Sequence, residues 1–154
     1  MSTQFQDAYL YDAVRTPFGK VGGALAKTRP DDLAALVVKE SVQRAPKLAA
    51  AGASGAEAID EVVFGNANGA GEENRNVARM ATLLAGLPTS IPGTTVNRLC
   101  GSSLDAAIIA SRQINVGEAD VMLIGGVESM SRAPWVLPKT ERPFPMHNLE
   151  LANT

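Results

Sequence analysis

Apolar and polar positions along the 154-residue chain change their period several times, and each change marks an element. Ala8 to Val14 is apolar and β-prone, which predicts a first strand, and Gly19, Gly22 and Gly23 then mark a loop. Pro30-Asp31-Asp32 opens a helix expected to run to about Arg44. Its proline sits where no N–H is needed, its carboxylates lie at the positive end of the helix dipole, and Pro46 ends it. Ser54-Gly55-Ala56-Glu57 fits a capping box on a short helical turn. Ile59 to Asn66 reads as a second strand centred on Val62-Val63-Phe64. Val77, Met80, Ala81 and Leu84 fall at i, i+3, i+4 and i+7, one face of a helix ending near Gly86 and Pro88. Thr94 to Asn97 is a third strand. The helix expected after Cys100 carries Leu104, Ala107, Ile108 and Ser111 on one face and has Gly117 near its end. Asp120 to Gly125 is a continuous apolar run, expected to be a strand buried on both faces of a parallel sheet.

Strands alternating with helices mean βαβ units, hence an α/β fold with a mostly parallel sheet and helices on both faces. Beyond Val127 no period is sustained, and Pro134, Pro138, Pro143 and Pro145 punctuate a stretch that reads as loop from Ala133 to Thr154. The expected organisation is one α/β unit over residues 1–132 followed by an incomplete loop region over 133–154. A net charge of −2 gives no electrostatic case for nucleic acid or a membrane surface. No apolar run approaches the ~20 residues that span a bilayer, and Met1 to Asp12 resembles neither a signal nor a transit sequence. A single cysteine excludes an internal disulfide and suits a reducing compartment. These features together predict a cytoplasmic protein.

That cysteine is the strongest chemical candidate. In Thr94-Thr95-Val96-Asn97-Arg98-Leu99-Cys100-Gly101-Ser102-Ser103-Leu104 a short strand runs into a tight segment, and a helical pattern starts just after the thiol. A sulfur at a helix N-terminus faces unpaired N–H groups and a favourable dipole, which promote the thiolate. The alternative is an inert buried thiol. His147, the only histidine, lies among prolines and reads as a surface residue rather than a base held near the thiol. One Cys and one His cannot build a four-ligand cage, so no metal site is expected. Gly65-Asn66-Ala67-Asn68-Gly69-Ala70-Gly71 imitates a dinucleotide loop, but position 74 is Asn74 where a glycine belongs, and Glu72 and Glu73 would repel a pyrophosphate. A hydrolase nucleophile elbow fails too, because Arg98 and Ser102 occupy its glycine positions.

The run Val96-Asn97-Arg98-Leu99-Cys100-Gly101-Ser102-Ser103 resembles the acyl-accepting segment of the thiolases. Gly125-Gly126-Val127-Glu128-Ser129-Met130-Ser131 resembles their glycine-rich signature, and Ala13-Val14-Arg15-Thr16-Pro17-Phe18-Gly19 is similar to their opening. The blocks stand in the family's order and cover nearly all the chain. The resemblance implies a thiolase-type N-terminal half, truncated before the second half, with Cys100 as acyl carrier and its backbone N–H as a donor to the thioester oxygen. It implies room for the acyl group at Gly101, and Ser102 and Ser103 as caps of the following helix. Ser103 and Asp105 stand where the family more often has glycine and glutamine. Coenzyme A is then a co-substrate with no permanently bound cofactor, acyl-CoA esters are the substrates, and the full-length enzyme is a homo-oligomer. The segment Asn74-Arg75-Asn76-Val77-Ala78-Arg79 would lie by the dimer partner, with Arg75 where glutamine is usual. The family's second cysteine and its histidine belong to the C-terminal half and have no counterpart in this sequence. Glu73 to Met80 and Gly93 to Cys100 most resemble the 3-oxoadipyl-CoA thiolases of aromatic-compound degradation. Acetyl-CoA acetyltransferase and fatty-acid 3-ketoacyl-CoA thiolase are the alternatives, and Arg98 does not decide among them. Ketoacyl synthases share the fold and a cysteine nucleophile, but the glycine-rich run favours thiolase. A non-catalytic fragment associating with a complementary half, or with itself, is the reading from another class.

Overall fold

A strand apolar at consecutive positions is satisfied only between two helical layers, and Val62-Val63-Phe64 occupies that place. The computed structural model describes residues 5–45, 55–141 and 148–154. Strand β1 (Glu61–Gly65) is central in a three-stranded parallel sheet, flanked by β2 (Gly93–Val96) and β3 (Met122–Gly126). Val62 pairs with Gly93 on one side and Leu123 on the other, and Gly65 pairs with Val96 and Gly126. Helix α1 (Pro30–Arg44) packs on α2 (Val77–Leu84), which lies on β1 and β2, while α3 (Ser102–Asn115) packs on β1 and β3. Strand alternation separates the two layers. Val62 and Phe64 join Val38, Val77, Ala78 and Ala81 in the main core, and Gly65 meets α3. The α/β fold with a parallel sheet and helices on both faces is therefore present. Among the described residues no helix is long and apolar enough to cross a membrane.

Several elements depart from their sequence reading for identifiable reasons. The strand expected over Ala8 to Val14 does not form. That segment is largely exposed and pairs with neither free edge of the sheet, held instead where the Gln6 N–H donates to the Asn115 carbonyl at 3.0 Å. β-prone composition without a partner strand does not make a strand. β3 is half-buried rather than buried on both faces, because it lies at an edge of the sheet. In α2 the buried stripe is Val77, Ala78, Ala81 and Thr82, with Leu84 half-exposed. The stripe expected on α3 points outward: Leu104 is 68% exposed, and Ser102, Ala106 and Ala110 are buried instead. Periodicity identifies a stripe but not the neighbour it meets, and here only small side chains fit. The loop over Ala133 to Thr154 contains one short antiparallel pair, β4 (Trp135–Val136) with β5 (Ala152–Asn153). A 3₁₀ turn spans Gly55–Ala58, but Ser54 of the expected capping box, Pro46, Pro143 and Pro145 lie outside the described residues.

Small side chains are demanded by the approach of α3 to the strand ends. A Cβ at Gly65 would sit 2.2 Å from the Ser103 backbone nitrogen, and one at Gly126 would meet Ser103 Oγ at 1.9 Å and the Gly65 carbonyl oxygen at 2.8 Å. Two neighbouring glycines at paired register positions thus form the seat for the first turn of α3.

Charged side chains gather around the same end of the sheet. Asp31, 1% exposed at the start of α1, receives Arg29 Nε at 2.9 Å and NH2 at 2.6 Å, and accepts the Asp32 N–H at 3.1 Å. Glu72, at the start of the 3₁₀ turn Gly71–Glu73, accepts two hydrogen bonds from Arg132 and lies near Arg29. Hydrogen bonding from Arg132 holds the Glu72 carboxyl below the usual range. Its neighbour behaves oppositely. Burial first, then the nearby Glu128 and Asp31 carboxylates, push Glu73 up, while the Asn66 side chain and the Gly69 N–H pull it down.

Two outcomes are expected. Gly65→Ala drives a methyl into backbone with no room to yield, so it should cost more than about 3 kcal/mol in denaturant unfolding. Glu73 binds its proton more tightly folded than unfolded, so its contribution is complete below the ordinary glutamate range and is lost as pH rises through its raised value. Glu73→Gln should abolish that loss, and melting temperatures of the two chains from mildly acid to neutral pH should diverge in favour of the glutamine form.

Candidate functional site

The Cys100 turn hangs between the end of β2 and the seat of α3. Leaving β2, Asn97 donates from Nδ2 to the Ala67 carbonyl at 2.8 Å and accepts the Leu99 N–H on Oδ1 at 2.9 Å. Leu99 takes a left-handed conformation, φ +50°, which is strained for a residue with a Cβ and is tolerated where surroundings over-determine it. The Gly101 N–H then reaches the Arg98 carbonyl and the Ser102 N–H the Leu99 carbonyl, both at 3.1 Å. Ser102 is a brace rather than the expected cap: its hydroxyl donates to the Leu99 carbonyl at 2.6 Å and accepts the Arg98 N–H at 2.8 Å. Gly101 occupies the N-cap position without a side-chain cap.

Cys100 is therefore exposed, two residues before the first residue of α3, on a turn fixed from both sides. None of the hydrogen bonds that fix the turn uses its N–H. Among the described residues nothing makes a packing demand on Gly101, since an added Cβ would only touch the Arg98 carbonyl at 3.5 Å and its φ is −94°. Arg98, 73% exposed, is engaged by Asp105 on α3, Nε to Oδ1 3.1 Å. His147 lies outside the described residues.

The loop that imitates a dinucleotide cradle has another occupant. Glu128, just past β3, accepts the N–H groups of Ala67 and Asn68, each at 2.9 Å. Asn66 Nδ2 donates to the Val127 carbonyl at 2.8 Å, and the Arg75 N–H closes the loop on the Gly69 carbonyl at 2.8 Å. Two backbone donors of this loop that could meet a phosphate, those of Ala67 and Asn68, are thus spent on a carboxylate of the same chain. Further along the glycine-rich run, Ser131 Oγ accepts the Gly22 N–H at 2.9 Å, and Arg132 holds Glu72. Asn97, Ser102 and Glu128 went unnoticed in the sequence as site residues. The legible signal was an acid set two residues after a glycine pair at a strand end, where loop N–H groups need acceptors.

Compared with known proteins, residues 8–153 match the model of the thiolase N-terminal domain. A 3-oxoadipyl-CoA/3-oxo-5,6-dehydrosuberyl-CoA thiolase of Escherichia coli (strain K12) is 55% identical over 139 residues, covering 90% of this chain and 33% of that protein. A beta-ketoadipyl-CoA thiolase of Acinetobacter baylyi is 54% identical over 137 residues, 89% of this chain and 33% of the relative. The crystal structure of the Bacillus anthracis acetyl-CoA acetyltransferase has a TM-score of 0.82 at 32% identity, covering 99% of this chain and 36% of that one. The chain spans about a third of the length of the curated relatives it matches. The family match over residues 8–153 and the likeness of the fold agree: the chain belongs to the thiolase family, through that family's N-terminal domain.

Proposed function

We propose that this chain supplies the acyl-accepting part of a CoA-dependent thiolase, with Cys100 as the acyl carrier. The observation that carries the reading is the exposed thiol on a turn braced by Asn97 and Ser102, beside a residue lacking a Cβ that the fold does not require to lack one. A thiolate is both nucleophile and leaving group, which acyl exchange between thiols requires. In the cleavage direction the Cys100 sulfur adds to the 3-oxo carbonyl, the bond between C2 and C3 breaks, and the departing carbanion takes a proton to give acetyl-CoA. The acyl group left on sulfur passes to the thiol of a second CoA. The Cys100 N–H, unused in the turn, is the donor for the oxyanion. Proton transfers belong to the cysteine and histidine that the family carries in its C-terminal half.

The substrate we propose is 3-oxoadipyl-CoA, cleaved to succinyl-CoA and acetyl-CoA. Support comes from 52–55% identity to relatives so named, against 38% to the acetyl-CoA acetyltransferase of Cupriavidus necator. Acetyl-CoA acetyltransferase activity is the second reading, and the likeness to the Bacillus anthracis structure favours it. We further propose that residues 1–132 form the α/β half, that 133–154 begin the loop region, and that the protein works in the cytoplasm, as a homo-oligomer in its full-length form. Mass measurement of the chain after exposure to acetyl-CoA tests the carrier: one acetyl group should appear, vanish with free CoA, and be absent from Cys100→Ser. An intact, alkylatable Cys100 that takes no acetyl group would overturn the reading for this chain.

A further inference from the structure

The glycine-rich run and the Cys100 turn come from opposite sides of β1, yet one line of hydrogen bonds joins them. The Glu128 carboxylate accepts two successive loop N–H groups, Ala67 and Asn68, at 2.9 Å each. The carbonyl of that same Ala67 accepts Asn97 Nδ2 at 2.8 Å. The other end of the Asn97 amide accepts the Leu99 N–H at 2.9 Å, one residue before the thiol. Leu99 is also the residue held at positive φ, so this last bond falls where the backbone most needs holding. Among the described residues, Asn97 is the one side chain that bridges the loop and the turn by these bonds, and Glu128 is the one that neutralises the loop's paired donors.

We infer that Glu128 is a positioning residue for the Cys100 turn, acting through the Ala67 peptide and Asn97 to hold Leu99 in its left-handed conformation. This rests on the acyl-carrier reading of Cys100 for its consequence, although the mechanical link does not. A bond to a carboxylate is stronger than one between neutral groups, and the intervening peptide is polarised from both ends, its N–H by Glu128 and its carbonyl by Asn97. Glu128 itself does not bond to the turn. Losing it removes no group of Cys100 but lets Leu99 relax toward ordinary φ, turning the sulfur and the Cys100 N–H away from a common target.

Amide exchange by NMR and acetyl transfer from acetyl-CoA, read on the same 154-residue chain, separate the link from its consequence. Glu128→Gln keeps the shape but sets an NH₂ against one of the two loop donors. The Leu99 N–H should then exchange about tenfold faster relative to that of Ala81 in the buried face of α2, since a charged hydrogen bond is worth about that much. Acetyl transfer to Cys100 should fall about tenfold with it. In an Asn97→Ala background, Glu128→Gln should add little to either effect, because the relay is already cut. Val38→Ala, which loosens the core without touching the relay, should shift Leu99 and Ala81 together. Equal shifts at Leu99 and Ala81 in Glu128→Gln, or additive effects with Asn97→Ala, would overturn the proposal. Differential loosening of Leu99 in a chain whose wild type never accepts acetyl would uphold the relay and refute the acyl-carrier reading.

Discussion

A close approach of main chain to main chain underlies the geometry near the thiol. The first turn of α3 sits against the ends of β1 and β3, where a Cβ at Gly65 or Gly126 would overlap Ser103. A helix seated this deeply cannot rotate or slide, because its neighbours are main chain rather than adaptable side chains. The direction of α3 fixes where β2 must hand over to it, and so confines the handover to the few residues from Asn97 to Gly101. Leu99 at φ +50° is the local result. Ser102, buried within that seat, then bonds back to both sides of the turn.

Much of this was visible in the residues before any coordinates. The boundaries of α1 were legible because Pro30, Asp31 and Asp32 act locally at the helix start, and β1 was legible because three consecutive apolar β-formers leave little choice. The place of Cys100, on a turn between a strand and a helix, was legible from the strand-like run before it and the helical pattern after it. What could not be read were the properties that neighbours decide. Ala8 to Val14 has strand composition but no partner strand. The outward stripe of α3 is a true period of Leu104, Ala107 and Ile108, yet the sheet accepts only Ser102, Ala106 and Ala110. Glu128 looked like one letter of a glycine-rich run, and its task emerges only when Ala67 and Asn68, sixty residues earlier, come to lie beside it.

Adjacent glutamates show how far local environment departs from residue type. Glu72 and Glu73 share one turn, but Arg132 draws the first toward ionisation while burial drives the second away from it. The pair anchors the turn by two different means, an ion pair outside and a desolvated carboxyl inside. A charge-reversing or charge-removing change at one would not mimic the same change at the other. Arg79 plays a comparable double part on α2, donating to the carbonyls of Ile91 and Thr89 and so tying the helix to the segment that leads into β2.

All three strands of the sheet run parallel, and no hairpin joins any of them. Each pairing therefore closes a long stretch of chain: Val62 finds Gly93 across α2, and Glu61 finds Met122 across α2, β2 and α3. Loop closure of that length must precede the contacts that reward it, so such a sheet is slow to assemble. The seat for α3 exists only once β1 and β3 lie side by side, since Gly65 and Gly126 furnish one half each. The Cys100 turn, hung between β2 and that seat, therefore depends for its shape on pairings between strands far apart in the chain. The surroundings of the Cys100 sulfur are thus set by the completed sheet rather than by the local sequence alone.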